Sequence, residues 1–504
     1  MSSSKRVIVN TLAQNIRSIL NIVLSFYSVR IVLDALGESD YGIFSLVGGV
    51  IAMLGFITNA MVVSTQRHLS FLYGKDDGDG VSRMFSTGLL LHYLWGILLV
   101  FVFVLVRPLI FNSGFLNIDA SRLGDANAVY IILVMSLFVS FITAPYRALY
   151  IARENIVFIS IVDVFDGGLK LGLVFMLYNI SSNRLIVYAL IVTGIAILNL
   201  IALAGYGVLK YRECCLIPRR FDSKMMRQMS SFAGWTIYST GCIVGRTQGL
   251  AVVLNHFFGE VINSAYGIAI QVTGAVQFIA QSVQNAMSPQ IVKSEGNANR
   301  NLMLSKSESA SKFAFLLMAI VVIPLVWEMP YILNCWLKNV PDYSAVFCRY
   351  VLIAALIDQV TIGLGIANQA IGKIRNYSLV INTIKLLTLP LAWFCLVKGL
   401  PAESTMYCYL GVEILCACLR LPFLKYTAGL SIRHFVGHVC MRVVLPVLML
   451  ILTCFIFTQF IDIEYRFVYT LIVSAILCLP VIWYVSLCRQ ERCTIREIIK
   501  RKER

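Results

Sequence analysis

Apolar residues along this chain come in runs of about 20 or more, each closed by a short polar stretch. A helix of that length crosses a hydrocarbon core of about 30 Å. About fourteen such runs can be drawn, at 9–35, 41–66, 85–111, 126–150, 156–179, 185–209, 230–255, 262–288, 313–337, 345–370, 377–398, 403–426, 438–461 and 466–488. The first, seventh and eighth are the least hydrophobic. Lipid offers no partners to free backbone groups, so spanning segments of this length must be helical. A β-barrel would show short alternating segments, and the sequence has none. The expected fold class is an all-α polytopic membrane protein of about fourteen transmembrane helices.

Composition agrees. Hydrophobic residues make up 59% of the 504 and charged residues only 13%. A soluble chain of this length needs more polar surface. The net charge of +16 would suggest nucleic acid in a soluble protein. Here the basic residues fall in alternate loops, such as Lys75–Arg83, Lys210–Arg227 and Lys293–Lys312, and in the tail Arg489–Arg504. The other loops offer little beyond Arg122, Arg184, Lys338, Lys398 and Arg466. That bias predicts both termini in the cytoplasm and no nucleic-acid partner. The tail and the basic loop read as topological signals lying along anionic lipid. Fourteen cysteines are scattered without a CxxC pair, and the five histidines do not cluster with them in sequence. Neither disulfides nor a metal site is expected. The first apolar run, from Val7, ends without a small-residue cleavage site, so no cleavable leader is expected.

The chain appears twice over in outline. Leu36-Gly37-Glu38 leads into Tyr41-Gly42, and Phe258-Gly259-Glu260 leads into Tyr266-Gly267. Ala152-Arg153-Glu154-Asn155 has a counterpart in Gly372-Lys373-Ile374-Arg375-Asn376. The offset is an even number of spans, so the halves share one orientation, as in transporters built from parallel repeats. The expected organisation is a six-helix lobe over 1–209, a linker over 210–229, a second six-helix lobe over 230–426, an extra helix pair over 427–488 and a basic tail over 489–504.

Polar residues inside the runs follow helical spacing. Asn10, Gln14, Arg17, Asn21, Ser25 and Ser28 form one stripe on the first run. Ser136, Ser140, Thr143, Arg147 and Tyr150 form one on the fourth, and Trp235, Ser239, Cys242, Arg246 and Gly249 one on the seventh. The eighth carries Asn263, Gly267, Gly274, Gln277, Gln281 and Gln284. Such stripes face another helix or a wet cavity. Close packing through small residues accounts for Gly267 and Gly274, and for Gly42, Ser45 and Gly49 of the second run. It accounts poorly for three glutamines in line, which an unpaired interior would penalise.

Charges within the runs are the sharpest signal. Lys170 lies one turn from Asp166, with Asp163 below. Asp358 stands in the tenth run, Lys385 in the eleventh, and Glu413 and Arg420 share a face of the twelfth. Each would cost about 3 kcal/mol or more facing lipid. Asp166 with Lys170, and Glu413 with Arg420, can pair along their own helices. Arg17, Arg246 and Lys385 have no acidic neighbour on theirs. They are expected to project unneutralised positive charge into a shared cavity suited to an anion, phosphate above all, because guanidinium offers a fork of donors.

The stretch Leu36-Gly37-Glu38-Ser39-Asp40-Tyr41-Gly42-Ile43-Phe44-Ser45-Leu46-Val47 resembles the first hairpin of bacterial Wzx-type O-antigen and capsule flippases. These belong to the multidrug/oligosaccharidyl-lipid/polysaccharide exporter superfamily. Tyr266-Gly267 and the Gly372-Lys373 loop resemble the same pattern, as do span count and charge layout over nearly the whole length. The resemblance implies two six-helix bundles alternating between inward- and outward-open states in the bacterial cytoplasmic (inner) membrane. It implies an undecaprenyl-pyrophosphate-linked oligosaccharide as cargo, with membrane lipid and polysaccharide assembly proteins as partners. Arg17, Lys170, Arg246 and Lys385 match by type and location the basic residues that such proteins turn toward the diphosphate or acidic sugars. Gln277, Gln281, Gln284 and Asn21 would line the sugar path. No cofactor is implied beyond coupling to H+ or Na+, for which Asp163, Asp166, Asp358 and Glu413 are the candidates.

Two rival functions remain. A multidrug extruder of the same superfamily would carry organic cations, which a net-basic cavity repels. A membrane-embedded glycan polymerase or transferase would bring a large loop with catalytic acids or histidine. The longest loops, near 67–84, 210–229 and 289–312, are short and basic, and no GxxxxGK loop is present. An enzyme is therefore not expected.

Overall fold

The computed structural model describes residues 3–37, 40–41, 43–44, 47–48, 51, 55–112, 122–180, 183–215, 222–337, 340–372, 374–460, 466–489 and 491–493. Glu38, Ser39, Gly42, Ser45, Leu46, Gly49, Lys338, Lys373 and the tail beyond 493 lie outside the described residues, as do the side chains of Ser25 and Glu260. No strand occurs among the described residues. The long helices are α1 (Ser3–Leu36), α2 (Gly55–Gly74), α3 (Gly78–Asn112), α4 (Leu123–Ala152), α5 (Ile156–Val174) and α6 (Arg184–Lys210). They continue as α7 (Ser223–Phe258), α8 (Glu260–Gly296), α9 (Arg300–Trp327), α10 (Met329–Trp336), α11 (Ser344–Val360) and α12 (Ile362–Ile371). The last four are α13 (Ile374–Val397), α14 (Glu403–Ala428), α15 (Ile432–Phe460) and α16 (Arg466–Ser486). Most described residues in the fourteen expected runs are helical, with breaks such as those at Glu328 and Thr361.

Eight of these helices are long and apolar enough to cross a membrane, and the bent pair α11–α12 makes nine. α1, α5, α7 and α8 are not among the eight. α1, α7 and α8 each carry a polar stripe and α5 a charged one; α4, which is among the eight, carries a further stripe. Polarity that a lone helix could not bring into lipid is tolerated here because those faces turn toward other helices or toward a cavity.

The chain divides into two compact units, Leu12–Ile237 and Tyr238–Arg504 with Met1–Thr11. In the first, α4 packs on α2, α3 and α6. Its core gathers Phe85, Phe141, Leu149, Tyr150 and Leu203, all buried. In the second, α9 is the central element and packs on α8, α11, α12, α15 and α16. Its core gathers Leu254, Tyr266, Met318, Phe347 and Leu352.

The polar loops expected near 67–84 and 289–312 are instead mostly helix. α2 runs on to Gly74 and α3 starts at Gly78, while α8 runs to Gly296 and α9 starts at Arg300. Each reversal takes three residues, with Asp76 or Ala298 in the left-handed region at φ 53° and 56°. Polar residues there extend the helices past the apolar runs, so hydropathy alone ends them early. The same residue spacing separates Asp76 from Ala298 as separates Gly37 from Gly259, which have φ 81° and 76°. Glu154 (φ 60°) and Gly372 (φ 86°) form a third pair at the junctions before α5 and α13. The backbone thus repeats its left-handed punctuation in both halves.

Two close fits show how the polar seams pack. α12 meets α9 so closely that a Cβ on Gly363 would lie 1.9 Å from the Ser307 carbonyl oxygen. The Gly363 N–H donates to the Ser311 hydroxyl at 3.0 Å. At the end of α4, Arg153 Nε donates to Glu213 at 2.9 Å and to the Tyr73 hydroxyl at 2.8 Å, and Tyr73 itself donates to Glu213. Burial pushes the Glu213 carboxyl up, but the hydrogen bonds from Tyr73 and Arg153 outweigh it and hold the group below its usual range.

Two outcomes follow from these fits. Gly363→Ala should lower stability by the upper end of about 1–3 kcal/mol, read as a drop in the detergent melting temperature. Glu213→Gln should destabilise at neutral pH. A depressed carboxylate stabilises above its unfolded value and loses that contribution as pH falls through the folded one. The melting-temperature gap between wild type and Glu213→Gln should therefore close as pH drops below the ordinary 4.5.

Candidate functional site

Each unit holds a cavity beside a cluster of charge, part-buried in the first unit and largely buried in the second. In Leu12–Ile237 the cavity measures about 790 Å³ and is lined by α1, α4, α5 and the 41–55 stretch. Asn21 and Ser28 of α1, Ser136 and Ser140 of α4, and Asp163, Asp166 and Lys170 of α5 face it, with Tyr41, Phe44 and Tyr188. Phe44 and Tyr188 meet edge to face at 4.6 Å. Gly167 lets α5 approach α1, since a Cβ there would lie 3.0 Å from Leu24 and 3.4 Å from Asn21.

Asp163 is the hub of that unit's charge. Arg17 Nη1 donates to its Oδ2 at 2.5 Å, and Arg147 donates to both oxygens at 2.6 and 3.2 Å. Arg147 also reaches Asn199 Oδ1 at 3.4 Å. One carboxylate thereby draws together α1, α4, α5 and α6. Lys170 pairs with Asp166 at 2.8 Å one turn away, as the spacing predicts.

In Tyr238–Arg504 a cavity of about 280 Å³ lies among α7, α8, α11, α13 and α14. Gln277, Gln281 and Gln284 line it together with Arg246, Asp358, Lys385 and Glu413. The glutamine seam therefore faces a cavity, and not only a packed neighbour. Glu413 accepts from Arg246 at 2.6 Å and from Lys385 at 2.7 Å. Arg246 also donates to the Tyr409 hydroxyl at 2.9 Å, with its guanidinium 4.1 Å from that ring's centroid. Lys385 reaches Asp358 at 3.4 Å, and Arg420 takes the same carboxylate at 2.7 Å. Arg246, Lys385, Arg420 and Glu413 are each only 4–6% exposed.

A break in the helix sets up this network. α11 and α12 meet at 47° around Thr361. The bend frees the Asp358 carbonyl from regular helical bonding. Arg420 donates to that carbonyl at 3.4 Å and to the Thr361 hydroxyl at 3.0 Å. Just before Lys385, α13 widens into a π turn over Ser378–Asn382, a feature that recurs at functional sites.

These contacts correct two expectations. Arg17, Arg246 and Lys385 are not unneutralised: each is bound to a carboxylate on a different helix, which sequence spacing along one helix cannot reveal. Glu413 and Arg420 do not pair with each other. Glu413 takes Arg246 and Lys385, and Arg420 takes Asp358. The predicted residues are divided between the two units. Asn21, Asp163, Asp166 and Lys170, with Arg17 behind Asp163, belong to the first unit, and the remaining predicted residues to the second. The sequence reading passed over Gln359, which accepts from Gln284 at 3.3 Å, and Tyr41, Tyr188 and Tyr409. The adjacency of Gln359 to Asp358 was the available signal. Tyr41 stood in the repeated Tyr-Gly element, and for Tyr188 and Tyr409 there was none.

No family model matches the sequence, and no curated protein does. Solved structures do match. A MATE in the bent conformation superposes with a TM-score of 0.75 at 12% identity, covering 85% of this chain and 96% of that one. The MATE transporter ClbM in complex with Rb+ gives 0.71 at 14% identity, with 86% and 96% covered. A MOP superfamily transporter from Pyrococcus furiosus, whose binding pocket is described as reversed in polarity and suggestive of a different function, gives 0.71 at 11% identity, with 85% and 96% covered. This chain has the MATE transporter fold. The all-α reading with two bundles and an extra helix pair stands, in a fold shared with multi-pass membrane transporters.

The Glu413 hub yields a test. Glu413→Ala leaves two buried cations short of a partner and should cost about 3–5 kcal/mol. Combining it with Lys385→Met should recover part of that loss. A double-mutant cycle of melting temperatures checks the coupling.

Proposed function

We propose that this protein is a transporter that moves an anionic lipid-linked glycan across the bacterial inner membrane, from the cytoplasmic to the periplasmic leaflet. One observation carries the reading. In each unit three cations stand against two carboxylates: Arg17, Arg147 and Lys170 against Asp163 and Asp166, and Arg246, Lys385 and Arg420 against Asp358 and Glu413. Each cluster carries one excess positive charge; Lys170 faces the first cavity beside Asp163 and Asp166, and Arg246 and Lys385 face the second beside Asp358 and Glu413, among amides and hydroxyls. A low-dielectric site amplifies that excess toward a diphosphate. Amide and hydroxyl groups with aromatic edges suit sugar hydroxyls and ring faces.

The carboxylates first considered for H+ or Na+ coupling are already held by side-chain cations. Coupling through Asp163, Asp166, Asp358 or Glu413 therefore requires an ion pair to open. Protonation is the simplest way, because it removes the charge that holds the partner.

Export of organic cations is the second reading. The fold shared with MATE structures favours it, and pairing of the buried cations weakens the repulsion such cargo would meet. Proteoliposomes separate the two. Flipping of a polyprenyl-diphosphate-linked sugar, with no uptake of ethidium, is the expected outcome. Arg17→Gln or Arg246→Gln, at equal protein level, should slow flipping about tenfold or more, the loss of roughly 1.4 kcal/mol. Ethidium transport without glycan flipping would overturn the proposal.

A further inference from the structure

A second polar cluster in the unit Tyr238–Arg504 lies outside its cavity, where α15 begins and the chain leaves α16. It consists of His438 on α15, Cys488 just after α16, and Glu491 three residues on. One imidazole nitrogen, the thiol sulfur and one carboxylate oxygen all lie within 4.8 Å of one another. The three residues are half-buried, and the thiol is free. Sequence spacing gave no metal ligands here because His438 lies far from Cys488 and Glu491 along the chain. The α15–α16 hairpin brings them together.

Two backbone features single the cluster out. α15 widens into a π turn over Val436–Cys440, which carries His438, and α16 does so over Ile482–Ser486, directly before Cys488. Such turns give up regular hydrogen-bond geometry and gather at functional sites. The Ser486 hydroxyl, at the end of the second wide turn, donates to the Arg442 carbonyl of α15 at 2.8 Å, joining the two helices just beyond the first.

Glu491 is also held as a ligand would be. Its Oε2 accepts from Lys312 Nζ at 2.7 Å and from the Cys488 N–H at 2.8 Å. Among the described hydrogen bonds, its Oε1 meets only the Ser309 hydroxyl, at 3.2 Å. A carboxylate oriented through one oxygen can coordinate through the other, here Oε1, alongside its contact with Ser309.

We infer that His438, Cys488 and Glu491 bind one zinc-class divalent ion, with water in the fourth position. Imidazole, thiolate and carboxylate are the ligand types zinc takes in tetrahedral sites. Calcium and magnesium prefer all-oxygen shells. The Cys488 thiol loses its proton to solvent as its sulfur bonds the ion, so uptake weakens as pH falls. Thiolate and carboxylate together balance the ion's two charges, and Lys312 stays on Oε2. The bound ion clips the start of α15 to the chain after α16, beside α9.

Cobalt titration of the purified full-length protein in detergent tests the site. One equivalent should raise a thiolate-to-cobalt charge-transfer band that zinc then abolishes. Cys488→Ser should lose the band and His438→Ala should lose binding, whereas Cys493→Ser, at an exposed cysteine outside the cluster, should keep both. Zinc should raise the melting temperature of wild type but not of His438→Ala, provided the metal-free proteins melt alike. A wild-type protein without the band, or a band that survives in Cys488→Ser, overturns the inference.

Discussion

A carboxylate surrounded by lipid-spanning helices cannot stay charged without a cation, and a cation there cannot stay charged without a carboxylate. That mutual requirement organises both units. Asp163 needs a partner, and Arg17 and Arg147 supply it from α1 and α4. Glu413 needs one, and Arg246 and Lys385 supply it from α7 and α13. Each pairing fixes the rotation of the helices that carry it, because a helix turned by one residue would swing its charge into an apolar neighbour. Small residues then let the backbones close in, as Gly167 does against α1 and Gly363 against α9.

The two charge clusters are not copies of one another. Both halves place a cation on their first and fifth helices, Arg17 with Lys170 and Arg246 with Lys385. Two of the left-handed junction pairs, Gly37/Gly259 and Asp76/Ala298, keep one spacing between halves, whereas these cations do not keep it. The second unit routes its charge through a broken helix at Thr361, whereas the first uses a single aspartate with two arginines.

Much of the fold was legible in the sequence because the hydrophobic requirement acts locally. Runs of apolar residues mark spans wherever a helix faces lipid. They mark helix ends poorly where a helix continues into water, as at Gly74 and Gly296. The cavity residues Gln277, Gln281 and Gln284 were readable because three amides in line have no lipid-facing explanation. The partners of Arg17, Arg246 and Lys385 were not, because a salt bridge between helices leaves no mark on the spacing of either one. Lys170 with Asp166 was readable for the opposite reason: both lie on one helix. The His438–Cys488–Glu491 group stayed hidden until the α15–α16 hairpin closed.

The chain of contacts Arg246–Glu413–Lys385–Asp358–Arg420 also bears on how such a protein can diverge. Removing any one member strands a charge, whereas exchanging a matched pair for apolar residues of similar volume is close to neutral. Single-step drift is therefore blocked at these positions, and paired replacement is the open road. Related sequences should differ here in whole couples, so that covariation, rather than invariance, is the trace this network leaves in its lineage.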